Sequence, residues 1–462
     1  MKNWLPILMV AYFCVLLLLA PINLLSFDTY YYWAWSRHLA MSYYDGSPMI
    51  AYFIKSSTWL FGDTLFALSL VGVVTAGFTS WIIYKAARLF LTQNASYVAM
   101  TLWLFSPLVT GDILRQTTYD TPLTIFWALT LYFVASWITS PQTKTLYAIG
   151  VSIGLMLLSK YSGCVLVLSL LVFLCASPYR NLFKNSHFYL AIGVALILFS
   201  PVILWNEQHG WQSFSYQLTS HGAKDSQGPW AHVLKSFVTV FLPSLNFMLL
   251  PTMICWRKRA TDAKDLVKMC MIVCTTFFVF YGLLSSVVAL REYWLTPYLI
   301  SSALLGGYCF EHYAYRKSVY GLLAVYLVLS LGILVNNTTL FHVTSPAKWR
   351  DYEFIHAINR TFPHSAKVVV TSGWLEARML FFLKDKPNVY TVGCGSPENQ
   401  YALWSAPVIS GIKDKSIKAV WYIDKVNHIS CVNKLFDHCE ALLVKEKMTA
   451  DDKRYAYLCT ND

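Results

Sequence analysis

Charge is what this sequence has least of. Asp, Glu, Lys and Arg make up 13% of its 462 residues, against 56% hydrophobic ones. Soluble globular chains carry about a quarter charged residues, so that class is excluded. No stretch repeats at a fixed period, and no tract is of low complexity. A platform for nucleic acid is missing too: despite a net charge of +12, no basic helix or aromatic-basic surface stands out. The Lys and Arg residues lie mostly in short connections beside apolar segments, which points to membrane topology rather than to a polyanionic ligand.

What the chain does have is apolar blocks. They run about 17–23 residues each, the length a helix needs to cross some 30 Å of hydrocarbon. Eleven are read, at 4–25, 64–84, 94–111, 121–139, 145–159, 161–177, 187–205, 236–255, 269–289, 295–311 and 318–336. The expected fold class is a polytopic α-helical membrane protein of about eleven transmembrane helices, with a small extracytoplasmic C-terminal α/β domain. Met1–Ala20 resembles a signal peptide, but the apolar run passes Pro21 and no small-residue cleavage site precedes Asp28, so it reads as a retained first span. Lys2, Lys85, Arg88 and the WRKRATDAKDLVK loop (256–268) fall on one side, and basic residues are sparser on the other. The expected orientation therefore has a cytoplasmic N-terminus and an external C-terminal region.

The expected domains are 1–337, a transmembrane unit with an interfacial first loop (27–63) and an outer loop (206–235), and 338–462. In the latter, AKVVVT (366–371), NVYTV (388–392), KAVWYI (418–423) and ALLVKE (441–446) read as strands and GWLEARMLFFL (373–383) as a helix, the alternation of an α/β domain. Of eleven cysteines, Cys394, Cys431, Cys439 and Cys459 fall here. Their spacing is not a metal-site pattern. In an oxidising compartment they suit one or two disulfides, with Cys431–Cys439 a local possibility.

The stretch FDTYYYWAWSRHLAMSYYDGSPMIAYFIKSSTWL (27–60) is too polar to span a membrane and too aromatic for an ordinary loop. Tyr30, Tyr31, Tyr32, Tyr43, Tyr44 and Tyr52 suit a membrane–water boundary, apolar at one end and wet at the other. Carboxylates held there are costly unless paired or at work. Asp28 reads either as a proton acceptor or as a helix N-cap. Asp45, in YYDGSP, reads as a turn former or as the second member of a carboxylate pair. Such a pair suits base catalysis or a divalent ion bridging phosphates. Lys160, Arg115 and Arg291 each read as a snorkelling surface cation or as a phosphate contact. In WNEQHGWQSFSYQ, the residues Trp205, Asn206, His209 and Gln217 suit stacking on and hydrogen bonding to a sugar, or packing of a re-entrant loop.

Several of these stretches together resemble a known family. DTYYYW (Asp28–Trp33), YYDGSPMIAY (Tyr43–Tyr52), YDTPL (119–123), LSKY (Leu158–Tyr161), WNEQHGWQSFSYQ (Trp205–Gln217) and Trp294, Pro297 and Tyr298 occur in its order. The family is that of bacterial membrane glycosyltransferases of the dolichyl-phosphate-mannose-protein mannosyltransferase type, with the GT-C fold. The transferase that adds aminoarabinose to lipid A is a relative. The resemblance covers about residues 1–310. It implies transfer of a sugar from a polyprenyl-phosphate carrier to a lipid, glycan or protein acceptor at the outer face of a bacterial inner membrane. Asp28 would be the base, Asp45 the second carboxylate, Lys160 a contact to the donor phosphate, and Tyr31, Tyr32 and Tyr44 part of the sugar and acceptor site. Thr29 and Gly46 depart from the family's pattern, which has Glu after the first Asp and, in the aminoarabinose branch, a phosphate-binding Lys at position 46. Phosphate binding would then rest on Lys160, Arg115, Arg291 or Lys55. Two rivals stand beside this reading. A transporter or flippase would show mid-span charges and broken helices in matched repeats. A non-catalytic scaffold would show no cavity joining Asp28 to Lys160.

Overall fold

The computed structural model describes residues 4–23, 25–219, 229–237, 250–258, 265–288, 290–313, 315–336, 338, 367–370, 381–383, 389–392, 399–424, 429–441 and 455–461. Helices dominate up to residue 336. Among the described residues six are long and apolar enough to cross a membrane: Trp4–Ile22, Leu65–Ala87, Asp120–Thr139, Ser186–Gln208, Asp265–Leu284 and Arg316–Asn336. Two bent pairs, Gln93–Leu104 with Pro107–Leu114 and Tyr161–Cys175 with Pro178–Lys184, bring the total to eight. Each bend has a local cause. Pro107 and Pro178 begin their second segments, where a fixed φ and a missing N–H suit a helix start but not a helix interior.

The expected blocks fall on helices, with differences in length. Block 145–159 is a shorter apolar helix, Thr143–Ser159. Block 295–311 divides into a 3₁₀ segment, Glu292–Tyr298, and the helix Leu299–His312. Much of block 236–255 lies outside the described residues; Leu250–Arg257 is its helical end. Small residues let the helices approach closely, as expected where lipid offers no hydrophobic drive for association. At Gly150 an added Cβ would sit 2.3 Å from the Ala191 carbonyl oxygen, so the helices Thr143–Ser159 and Ser186–Gln208 require glycine at that crossing.

The C-terminal region contributes a five-stranded sheet of order β2-β1-β3-β5-β4. Its strands are β1 Lys367–Val370, β2 Val389–Thr391, β3 Ala419–Asp424, β4 His438–Ala441 and β5 Tyr455–Thr460. The first three are parallel, and β5 runs antiparallel between β3 and β4. The first three expected strands match β1, β2 and β3. The fourth expected strand, 441–446, lies outside the described residues beyond Ala441; β4 precedes it. The expected helix 373–383 is described only at 381–383. β5 and the helix Gln400–Lys413 are additional.

The disulfide expectation needs one correction. Cys439 is bonded to Cys459, not to Cys431. The two residues face each other across the β4–β5 ladder, so register brings them together despite their separation in sequence. Cys431 is disulfide-bonded as well.

Candidate active site

The first loop folds into two helices, Phe27–Arg37 and Met49–Phe61. Ser26 caps the first: its Oγ accepts from the Thr29 N–H at 3.4 Å. Asp28 is therefore not the cap, and the capping alternative for it falls away. Helical spacing puts Asp28, Tyr31, Tyr32 and Trp35 on one face. Thr29, on another face and fully buried, uses its Oγ1 to accept from the Thr117 N–H at 3.1 Å. The residue that departs from the family's Glu thus ties the first loop to the segment leading into Asp120.

Between the two helices the chain reverses. Tyr43 stacks on Trp35 with ring centroids 4.1 Å apart, and its Oη donates to the Trp35 and His38 carbonyls. A tight turn joins Tyr43 and Gly46 through N–H···O bonds of 3.0 and 3.1 Å. Gly46 has φ +154, and a Cβ there would lie 3.3 Å from Tyr119 Oη. Side chains rarely adopt that backbone, so this turn geometry selects glycine. Asp45 is part of this turn, as its sequence suggested, and its carboxylate is buried, 8% exposed. Tyr31 Oη donates to its Oδ2, and Gln217 Nε2 donates to its carbonyl.

These residues line a cavity of about 1020 Å³. The first loop contributes Asp28, Tyr31, Tyr32, Tyr44 and Asp45 to its lining, and later segments contribute Asp120, Lys160, Tyr161 and Tyr293. An apolar side is built by Phe280, Tyr281, Leu284, Val287 and Val288. Lys160 reaches the cavity because the helix Thr143–Ser159 ends one residue earlier and Lys160 itself is extended, with φ −161 and ψ 136. Its Nζ lies 2.8 and 2.7 Å from the two Asp120 carboxylate oxygens. It also sits 5.8 Å from the centre of the Tyr293 ring. The lysine is 20% exposed and the aspartate 2%, so the ion pair presents its cation to the cavity.

Burial disfavours charge on both first-loop carboxyls. It raises Asp28 to about 6. It raises Asp45 to about 7; the hydrogen bond from Tyr31 opposes that rise, the nearby Asp28 adds to it, and the Gln400 backbone N–H opposes it. Both thus titrate close to neutrality, the range a general base requires. Among the described residues no group of three His, Cys, Asp or Glu side chains is arranged to hold a metal ion, and neither carboxylate is assigned as a ligand.

The cavity gathers Asp28, Asp45, Lys160, Tyr31, Tyr32, Tyr44 and Gln217. It does not gather the other candidates. Arg115 is half-buried and Lys55 and Arg291 are exposed, and none of the three is among the lining residues, although Gln116 is. Trp205, Asn206 and His209 hold a turn instead. His209 stacks on Trp205 at 4.0 Å and 8°, and its Nδ1 contacts the Trp205 carbonyl at 2.8 Å. Asn206 is fully buried; its Oδ1 accepts from the Phe214 N–H at 3.2 Å and its carbonyl accepts from the Trp211 N–H at 2.7 Å. This turn aims the helix Gln212–Thr219, and with it Tyr216 and Gln217, into the cavity. Asp120, Tyr119, Tyr161, Tyr216, Tyr293 and Asn399 also line it without having been candidates. YDTPL was the available signal for Tyr119 and Asp120; nothing local marked Asn399.

Known proteins support the motif reading. Residues 45–205 match the model of the dolichyl-phosphate-mannose-protein mannosyltransferase family. The lipid A galacturonosyltransferase RgtD of Rhizobium johnstonii is 24% identical over 185 residues, 39% of this chain and 38% of that protein. The undecaprenyl phosphate-alpha-4-amino-4-deoxy-L-arabinose arabinosyl transferase 1 of Proteus mirabilis is 26% identical over 296 residues, 60% of this chain and 52% of that one. The chain thus matches about two fifths to one half of these relatives' length. Crystal structures of ArnT from Cupriavidus metallidurans, apo and bound to undecaprenyl phosphate, share the fold with TM-scores of 0.74 and 0.75. They are 15% identical and cover 98% of this chain and 97% of theirs. Archaeal AglB from Archaeoglobus fulgidus is more distant, with a TM-score of 0.52 and 10% identity over 92% of this chain and 70% of that one. The fold is therefore an ArnT-like GT-C fold.

Proposed function

We propose that this protein is a membrane glycosyltransferase. It moves a sugar from a polyprenyl-phosphate carrier to a lipid A, glycan or protein acceptor at the outer face of a bacterial inner membrane. One observation carries the reading: a single cavity joins a near-neutral carboxylate pair, Asp28 and Asp45, to the ion-paired cation Lys160, with an apolar wall beside them. A scaffold has no use for that cavity. The motif order, the family match over 45–205 and the ArnT-like fold support the same class.

In this reading Asp28 accepts the proton of an acceptor hydroxyl or phosphate. The acceptor oxygen bonds to the anomeric carbon as the bond from that carbon to the phosphate oxygen breaks. The electron pair leaves with the polyprenyl phosphate, and the configuration inverts. Lys160 faces the charge that develops there; such a preset cation stabilises a transition state without reorganising. Asp120 holds the lysine in place. The apolar wall takes the polyprenyl chain, and Tyr31, Tyr32 and Tyr44 surround the sugar. Topologically, the proposal keeps about eleven crossings, a cytoplasmic N-terminus and an external C-terminal domain over 338–462.

The test gives membranes containing the full chain labelled polyprenyl-phosphate sugars. Asp28→Asn is expected to lose transfer by about 10²–10⁴-fold, the range for a missing general base. Full transfer by that variant removes Asp28 from the role. Mass spectrometry of envelope lipids with and without the protein identifies the sugar and acceptor.

A further inference from the structure

One residue of the C-terminal region grips the first loop at two points. Gln400 opens the helix Gln400–Lys413 and is 5% exposed. Its side-chain Oε1 accepts from the Tyr44 N–H at 2.7 Å. Its backbone N–H donates to Tyr31 Oη at 2.9 Å. Tyr31 in turn donates its proton to Asp45 Oδ2. Asn399 caps the same helix by accepting from the Tyr401 and Ala402 N–H groups at 2.9 and 3.3 Å. The first N–H groups of a helix have no acceptor within it, and here Tyr31 supplies one for Gln400.

The chemistry of the phenol makes this arrangement directional. Tyr31 has one O–H proton and two lone pairs. An N–H cannot accept, so with Gln400 aimed at its oxygen the tyrosine proton is left for Asp45. A hydroxyl that accepts one bond also donates more strongly to the next. The Gln400 N–H also favours the ionised Asp45 directly. We infer that Gln400 is a positioning residue of the cavity: its backbone N–H orients Asp45 through Tyr31, so that the C-terminal sheet is tied to the carboxylate pair. Its catalytic consequence rests on the transferase reading; the contact chain itself does not.

Among the described residues, the charged and titratable groups facing Asp45 are few. Asp28, Tyr31 and Tyr32 come from its own loop, Tyr119 from the segment before Asp120, and Tyr216 from the helix Gln212–Thr219. Burial pushes the phenols upward, so they stay neutral while the carboxyls titrate. Lys160 lines the same cavity with its charge engaged by Asp120.

The experiment uses the purified full chain in lipid nanodiscs and follows the infrared band of protonated carboxyls against pH. The band lost in Asp45→Asn belongs to Asp45. Tyr31→Phe is expected to raise its midpoint by about one unit, a tenfold change in proton affinity. Gln400→Pro should move it the same way. Proline is tolerated at the first helical position, and Asn399 before it is already extended, with φ −153, as proline requires. The substitution removes both the N–H and the side-chain acceptor of the Tyr44 N–H, so Gln400→Ala, which loses only the side chain, should leave the midpoint near wild type. The double variant should shift the midpoint further than Tyr31→Phe alone, because the Gln400 N–H also acts on Asp45 directly. Ser405→Ala is the control: it loosens the same helix from β2, where Ser405 Oγ accepts from the Thr391 N–H at 2.8 Å, and should leave the midpoint unmoved. An unmoved midpoint in folded Gln400→Pro, or an equal shift in Gln400→Ala or Ser405→Ala, overturns the inference. Labelled-sugar transfer is measured on the same samples. A shifted midpoint with no transfer by the wild type leaves the relay standing and removes the enzyme reading.

Discussion

The stretches 27–60 and 205–217 look alike in sequence: both mix aromatic rings with polar side chains next to an apolar span. Their leading polar groups are used differently, although Tyr216 and Gln217 at the end of the second stretch line the cavity too. In the first, Ser26 caps the helix and Thr29 bonds to Thr117, which leaves Asp28 and the Tyr31–Asp45 pair directed into the cavity. In the second, Asn206 and His209 spend their bonding capacity on the turn itself. A buried polar group must be paired. What distinguishes a working residue is that its pairing leaves an atom facing open space.

That contrast can be broken from the first side with the largest effect at Lys160. Lys160→Met is expected to lower transfer about 10²–10³-fold, as for loss of one preset electrostatic contact. It should also destabilise the protein by about 3–5 kcal/mol, because Asp120 is left buried and unpaired. The double variant Lys160→Met/Asp120→Asn should recover much of the stability and none of the transfer. Denaturant unfolding in detergent beside the labelled-sugar assay separates the two.

Next in size is the response to pH. Asp28 and Asp45 have raised values in the folded state, about 6 and 7. The stabilisation from their protonated forms is complete below about pH 4, the ordinary range of an unfolded carboxyl, and is lost as pH rises through 6 to 7. Asp45→Asn should therefore be more stable than wild type at pH 8, by about 4 kcal/mol, and nearly equal to it at pH 4. Melting curves at the two values decide it. Wild-type transfer should fall as pH drops below about 6, where the base is protonated.

The second stretch should answer differently. Asn206→Ala is expected to cost about 1–3 kcal/mol, since the Phe214 N–H loses its acceptor, while transfer per folded molecule falls only a few fold. A loss of transfer as deep as that of Asp28→Asn would erase the distinction between the stretches. The smallest effects belong to Arg291→Ala and Lys55→Ala, both exposed and outside the cavity. Each should stay within about 0.5 kcal/mol in stability and near wild type in transfer.

Much of this was legible along the chain. Apolar runs the length of a bilayer marked the helices, because a backbone in lipid must satisfy its own hydrogen bonds. The motif order pointed to Asp28, Asp45 and Lys160, which the cavity gathers. Local pattern did not rank the cations. Lys160, Arg115, Lys55 and Arg291 look equivalent as charges beside apolar segments, and only Lys160 follows a helix end that turns it inward. Nor could sequence spacing pair the cysteines, since Cys439 meets Cys459 through strand register while Cys431 is nearer in sequence.

By itself the sequence determined the class of protein: hydropathy and length dictate helices in lipid, and the clustered carboxylates and tyrosines mark a boundary site. The tertiary structure decided who acts on whom. Asp120 and Lys160 lie 40 residues apart and Tyr31 and Gln400 lie 369 apart, and no periodicity spans such distances. Their meeting is set by helix packing and by the docking of the C-terminal sheet on the first loop. Burial then adds what sequence cannot carry, because a carboxyl's affinity for its proton depends on the water taken from around it.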